Sequence, residues 1–226
     1  VILQSANGSV VAEKEDYGNG WIRVILKFTT NVAQNYNYQS IEFQSGDGWI
    51  WGAQLEQQSY ATSYIPTSGA SATRNQELCT NATPVINSEE GTLYAEISAL
   101  SNDGTRRYIS LNNGTSNYDV RLYFSIDGYI SVLSKVAGTT QVFMQTNIYA
   151  QTDYNKIAFK YKENDFALWI NGVEVQTDTS GLVNPIGELD RLDFFGNGSD
   201  FFGNTKGLKY YPKALADVQL EDLTTI

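Results

Sequence analysis

The chain has no histidine, one cysteine, four prolines and fifteen basic residues among 226. Without histidine, Ser–His and Cys–His nucleophile pairs are excluded, as are zinc sites of the His/Cys kind. The lone Cys79 closes no intrachain disulfide, so the fold does not depend on an oxidising compartment. With no histidine to act as its base, Cys79 reads as a small buried hydrophobe rather than a nucleophile. The 15 Lys and Arg stand against 25 Asp and Glu, a net charge of −10. That balance argues against a nucleic-acid partner, which calls for a basic face or stripe, and against adhesion to anionic lipid. No apolar run approaches the ~20 residues of a membrane span. The opening "VILQSANGSV" has neither the basic start nor the apolar core of a secretory leader. The expectation is a soluble segment of a longer polypeptide, with no membrane partner.

Aromatic and turn-forming residues are plentiful. Aromatics reach 13%, with 15 Tyr and 4 Trp, and 19 Gly accompany many Asn, Ser and Thr, a composition suited to many short strands joined by turns. Charged residues at 18% and hydrophobic ones at 42% place the chain among globular proteins. The expected fold class is all-β.

Three stretches follow, expected at residues 1–59, 60–77 and 78–226. In the first, "SVVAEK", "WIRVILKFTT", "SIEFQ" and "GWIWGAQLE" read as strands. "WIRVILKFTT" alternates, with Ile22, Val24, Leu26 and Phe28 on a core face and Arg23, Ile25, Lys27 and Thr29 on a wetter one. Four strands are about half of a jelly roll and would leave an apolar sheet face and a strand edge uncovered. The third stretch reads as consecutive strands: "GTLYAEISAL", "RRYISLNN", "DVRLYFSID", "YISVLSKV", "TQVFMQTNI", "NKIAFKYKEN", "DFALWINGVEV" and "LDRLDFFG". Turn signals such as Asn112-Asn113-Gly114, Asp127-Gly128 and Asn171-Gly172 separate them. Asn171-Gly172 suits a two-residue hairpin needing positive φ twice. The reading is an antiparallel sandwich.

Three resemblances add to this. "GNGWIRVILKFTT … SIEFQSGDGWIWGAQLE" resembles the C-terminal half of jelly-roll carbohydrate-binding modules, except that Trp51, Gly52 and Ala53 stand where many of them carry two Asp. "GAQLEQQSYATSYIPTSGASATR" resembles a phrase that recurs in bacteriophage tail fibres and tail-associated adsorption proteins; Gln58 departs from a common glycine. "NKIAFKYKENDFALWINGVEVQTD" and the closing "GNTKGLKYYPKALADVQLEDL" resemble laminin-G-like, concanavalin A-like jelly rolls. In the closing phrase Ala216 replaces a usual capping Ser. That loss costs about 1 kcal/mol, partly offset by Asp217 through the helix dipole. Together they imply a concanavalin A-like antiparallel jelly roll preceded by a partial β-sandwich module. They further imply a virion location in a tail or capsid fibre, a homotrimer, other virion proteins as partners and a host cell-surface glycan as ligand. The alternatives are a purely structural virion component, a bacterial surface adhesin, and a glycan hydrolase.

The residues for sugar binding are aromatic platforms flanked by amides and acids, because ring faces cover the sugar C–H surface. The candidates are Tyr108, Tyr118, Tyr123, Tyr129 and Trp169 in the third stretch, and Trp49 and Trp51 in the first. Core packing is the competing role for each, and Trp169 is expected between the sheets. The resemblance implies calcium as a cofactor, with Asp103, Asp119, Asp127, Asn197 and Asp200 as candidate ligands; turn stabilisation is the simpler role for such residues. For a hydrolase the carboxylates would be Glu188, Asp190 and Asp193. On a regular strand Glu188 and Asp190 share one face and Asp193 falls on the other, with Leu192 and Phe194 inward. The chain is therefore expected not to be an enzyme.

Overall fold

The computed structural model describes residues 2–5, 11–29, 39–42, 48–57, 60–73, 84–196 and 198–226. Cys79 and Asn197 lie outside the described residues. The chain divides into two compact units, Val1–Gln76 and Glu77–Ile226.

In the first unit, β1 (Ile2–Ser5) pairs antiparallel with β4 (Gln39–Glu42). β2 (Val11–Gly18) pairs with β3 (Trp21–Lys27) in a separate hairpin. Its register sets Glu13 and Glu15 opposite Ile25 and Arg23 on one face. There Lys27 pairs with Glu13 at 2.7 Å and Arg23 with Glu15 at 3.3 Å. The expected core face, Ile22, Val24 and Leu26, meets Asp16, Lys14 and Ala12 across the hairpin. It is not a core face here: Ile22 is exposed, and Val24 and Leu26 are half-buried. A two-stranded sheet has too little partner surface to bury either side.

The stretch "GWIWGAQLE" was expected to be a strand, but residues 48–56 form none. Gly52 has φ +69°, outside extended geometry, and the following side chains bind a strap instead of a sheet. The Gln54 carboxamide accepts from the Ile65 N–H at 2.8 Å and donates to the Ser63 carbonyl at 3.3 Å. Glu56 accepts from the Thr62 N–H at 3.1 Å and from its hydroxyl. Arg23 donates to the Thr62 carbonyl. The Tyr64 ring stacks on Trp51 at 4.7 Å and lies against Gly52, where a β-carbon would sit 3.4 Å from it. The "GAQLE … TSYI" phrase thus encodes a local clasp within the first unit.

The second unit contains β5 (Glu90–Ala99), β6 (Arg107–Asn112), β7 (Asp119–Phe124), β8 (Ile130–Val136), β9 (Thr139–Thr146) and β10 (Asn155–Lys162). After them come β11 (Phe166–Ile170), β12 (Val173–Asp178), β13 (Arg191–Asp193), β14 (Phe195–Gly196), β15 (Ser199–Asp200), β16 (Gly203–Tyr211) and the helix α1 (Asp217–Thr224). Two five-stranded antiparallel sheets result, in the orders β12-β11-β10-β5-β16 and β13-β6-β7-β8-β9. The "DFALWINGVEV" run splits into β11 and β12 at Asn171-Gly172, whose φ angles are +52° and +81°, as a two-residue hairpin requires. Leu93, Ile97 and Phe159 of one sheet meet Ile109, Leu122 and Val132 of the other in one core. Leu192 and Phe194 pack against that core, as expected.

Strand alternation gives each sheet an outer face as well. That of β5, β10 and β11 presents Tyr94, Ala158, Ala167 and Trp169, which cluster with Leu215 and Leu220. Trp169 therefore lies on the helix side of its sheet rather than between the sheets. The helix starts at Ala216, whose side chain caps nothing; the Gln219 carboxamide oxygen accepts the Ala216 N–H at 3.1 Å. Asp217 in the first turn pairs with Lys160 at 3.3 Å.

Candidate functional site

The outer face of the second sheet is built differently. Ile109, Leu111, Val120 and Leu122 point into the core, so Tyr108, Ser110 and Asn112 on β6, and Asp119, Arg121 and Tyr123 on β7, point away from it. Residues so placed usually meet water. Here all but Tyr123 are buried, and the short strands β14 and β15 pack against β6. The Ser110 hydroxyl donates to the Phe195 carbonyl at 2.7 Å. A β-carbon at Gly196 would lie 3.0 Å from the Tyr108 Cβ, so glycine suits this close approach.

On β7 lies an ion pair with almost no solvent access. Asp119 is 3% exposed and Arg121 4%, and their side chains are in contact. Arg121 also sits over the Tyr108 ring, 5.4 Å from its centroid, and Tyr108 packs on Tyr123 at 5.0 Å. Burial draws the Arg121 guanidinium below its usual pKa, opposed by Tyr108 and Tyr123. Burial raises the Tyr123 phenol, opposed in part by the Arg121 and Arg106 charges. Two buried atoms of the pair, Asp119 Oδ1 and Arg121 Nε, have no hydrogen-bond partner. An unmet buried polar atom costs about 1–3 kcal/mol, a cost that a bound water or ligand group removes.

Asp119 lines a cleft of ≈ 410 Å³ together with Ser110, Asn112, Arg191, Asp193 and Phe195. Asn112 organises the wall. Its amide nitrogen donates to Asp193 at 3.0 Å and Ser110 at 2.8 Å, and its oxygen accepts the Gly114 N–H at 2.7 Å. Arg191 donates from Nε to Asp190 at 3.2 Å, and its Nη1 and Nη2 make no hydrogen bond. They lie over Gly114, where a β-carbon would sit 2.8 Å from Nη1. A second hollow, of ≈ 450 Å³, lies within the clasp of the first unit, between Gln54, Glu56, Thr62 and Ile65. It contains no buried ion pair.

The structure gathers few of the anticipated aromatic platforms. Tyr108 is buried under the 193–200 segment, and Tyr123 is half-buried beside it. Tyr118 packs against the core. Tyr129 belongs to the turn closed by Ser125, and Trp169 belongs to the helix side. Trp49 and Trp51 stand exposed in the first unit, at 89% and 71%. Of the anticipated metal ligands, Asp103 pairs with Arg107 and also holds Ser101 and the Thr105 N–H. Asp119 pairs with Arg121, Asp127 lies in the Ser125–Tyr129 turn, and Asp200 pairs β15 with β14. Among the described residues no group of three or more Asp, Glu, His or Cys could hold a metal ion. Arginine partners engage Asp103 and Asp119.

The carboxylates considered for hydrolysis are also engaged. Glu188 accepts from Asn113 at 3.2 Å and Asp193 from Asn112 at 3.0 Å. Asp193 shares its strand face with Arg191, and Glu188 and Asp190 precede β13. The sequence reading missed Ser110, Asn112, Arg121, Arg191 and Gly196 as site residues. A usable signal was present: Asp-Phe-Phe-Gly occurs at 193–196 and again at 200–203. The two copies flank the β14–β15 turn, with Phe194 and Phe201 both packed on the core at a ring separation of 6.0 Å. This double anchor holds the segment over β6.

No family model and no curated protein matches the chain. Among solved structures it is similar to the CBM40 of the Ruminococcus gnavus IT-sialidase bound to α2,3-sialyllactose. The identity is 20% and the TM-score 0.51, over 61% of this chain and 83% of that one. It is also similar to the leech intramolecular trans-sialidase complexed with 2,7-anhydro-Neu5Ac, at 19% identity and a TM-score of 0.51 over 62% of this chain. The match spans only 24% of that enzyme. At such identities the likeness is one of fold, and the chain is an all-β protein built on an antiparallel sandwich.

Proposed function

We propose that this chain is a glycan-binding component of a bacteriophage fibre or tail, and that it takes its sugar at the cleft beside β6 and β7. The observation that carries the reading is the buried Asp119 carboxylate, which lines a polar cleft with one oxygen unpartnered. The volume of ≈ 410 Å³ falls in the range of small-ligand sites. Amides, hydroxyls, a carboxylate and an arginine are the groups that hold sugar hydroxyls. A related fold has been solved with α2,3-sialyllactose, which makes a sandwich of this kind a reasonable scaffold for a sugar site. The phage setting, the virion location and the virion partners rest on the "GAQLE … TSYIPTSGASATR" resemblance alone.

The module binds its glycan without cleaving it, because Glu188, Asp190 and Asp193 are all occupied by neighbouring side chains. The homotrimer rests on the first unit, whose described strands form two separate pairs and whose Trp49, Trp51 and Leu55 are largely exposed. A neighbouring copy would cover such a surface. A glycan array followed by calorimetry on the whole chain tests the reading, with binding and no sugar released as the expected result. Absence of binding to every sugar would leave a purely structural virion role. Sedimentation tests the trimer independently, and a monomer at working concentration would exclude it.

A further inference from the structure

We infer that the cleft selects uncharged sugars over acidic ones, so that the ligand is a neutral glycan; this rests on the glycan-binding reading above. The first ground is hydrogen-bond type. Asp119 lines the cleft, and its buried Oδ1 has no hydrogen-bond partner. An ionised carboxylate only accepts, so a ligand group that reaches this oxygen must bring a donor. A sugar hydroxyl or the N–H of an acetamido group supplies one, and a carboxylate group does not. The uncommitted Arg191 Nη groups in the same lining need an acceptor. Neighbouring hydroxyls on one sugar ring satisfy both, since each hydroxyl donates and accepts.

The second ground is charge. Four carboxylates stand in or beside the cleft: Asp119, Asp193, Glu188 and Asp190. The cations are Arg191 in the lining, Arg121 paired with Asp119, and Lys135 opposite Asp119 on β8. Two of those three cations already neutralise a carboxylate, Arg121 that of Asp119 and Arg191 that of Asp190. Asp193 is held only by the uncharged Asn112, so its negative charge remains in the wall. An acidic sugar would bring a second negative charge beside that of Asp193, and like charges this close repel. The chain as a whole, at −10, adds to that repulsion at long range. The structural relative solved with sialyllactose therefore shares the fold but not the ligand class.

The test uses the whole chain and matched pairs of oligosaccharides, each neutral member beside its sialylated form, with lactose and α2,3-sialyllactose as one pair. Calorimetry on the pairs that bind is expected to give affinity for the neutral member about tenfold or more above that for its partner. Replacing Asp193→Asn should shrink that ratio about threefold, an effect that a merely structural role would not produce. Arg191→Gln, at a half-exposed side chain, should weaken the neutral sugar several-fold while the protein stays folded; Asp119→Asn should weaken it further if it folds. Equal or tighter binding of the sialylated member overturns the inference and leaves glycan binding standing. A ratio unmoved by Asp193→Asn also overturns it. If no sugar of either kind binds, the glycan-binding reading fails and the inference falls with it.

Discussion

The two outer faces of the sandwich are covered by opposite means. On the β5–β10–β11 side a helix closes an apolar surface of Tyr94, Trp169, Leu215 and Leu220, where among the described residues the indole N–H of Trp169 is the one buried side-chain atom left unpartnered. On the β6–β7 side a short hairpin covers a polar surface. It leaves an ion pair with unmet atoms and a cleft beside it. The first covering does what a lid on a core should do, removing apolar area from water at about 25 cal/mol per Å². The second buries charge, which seldom stabilises a fold by itself. A surface that holds charge out of water at such a cost points to use rather than stability, and this difference is why we propose the sugar site on the β6–β7 side.

The comparison breaks most easily at Arg121. Arg121→Ala leaves the Asp119 carboxylate buried without its partner and should cost about 3–5 kcal/mol, read as a shift in the denaturant midpoint. Removing both charges, with Asp119→Asn and Arg121→Met together, should recover most of that loss while leaving sugar binding weak. If the single change costs under about 1 kcal/mol, the pair is better hydrated than its burial implies and the contrast between the faces fails. On the helix side Leu220→Ala, at a fully buried position, should cost about 2–4 kcal/mol. Its calorimetric sugar affinity should not change, because Leu220 packs on the opposite sheet. A matching loss of affinity would show that the two faces are coupled.

Gly196→Ala tests the hairpin cover. The new methyl would press on the root of the Tyr108 side chain, 3.0 Å away. If the segment and Tyr108 separate by a few tenths of an ångström to admit it, the stability loss is about 1–2 kcal/mol. Sugar affinity should fall about tenfold, since Ser110, Phe195 and Gly196 line the same cleft. Retained affinity would show that the cleft does not need the segment in place.

Most of the sandwich was legible because its strands alternate and its turns carry their own chemistry. Ile109, Leu111, Val120 and Leu122 mark inward positions by period alone, and Asn171-Gly172 marks a hairpin by its need for positive φ. The side taken by Trp169 was not legible. "IAFKY" and "FALWI" are apolar on both faces, as strands covered on both sides are, so alternation could not say which face met the helix. The site was less legible still. Asp119 and Arg121 alternate with Val120 and Leu122 like any solvent-facing pair, and Asp193, Phe195 and Gly196, which share the cleft with Asp119, come more than seventy residues later. In the first unit the tryptophan-rich "GWIWGAQLE" looked like a strand, but the positive φ of Gly52 and the grip of Gln54 and Glu56 on 62–65 make it half of a clasp.

The smallest expected effect sharpens the contrast by raising stability. Ala216 begins α1 without a side-chain cap, although Gln219 already reaches back to its N–H. Ala216→Ser adds a hydroxyl that can accept from the backbone N–H of Gln219, completing a reciprocal capping box. The expected gain is about 0.5–1 kcal/mol, a rise of roughly 1–4 °C in the melting temperature of a unit this size. Affinity for the neutral sugar should stay as it was, because the cap acts on a helix that closes the other face. A gain in stability with unchanged affinity would confirm that the helix face can be improved without touching the cleft. If affinity fell as stability rose, the helix would be holding β10 and β11 in a strained state that the cleft requires, and the separation of roles between the faces would have to be given up.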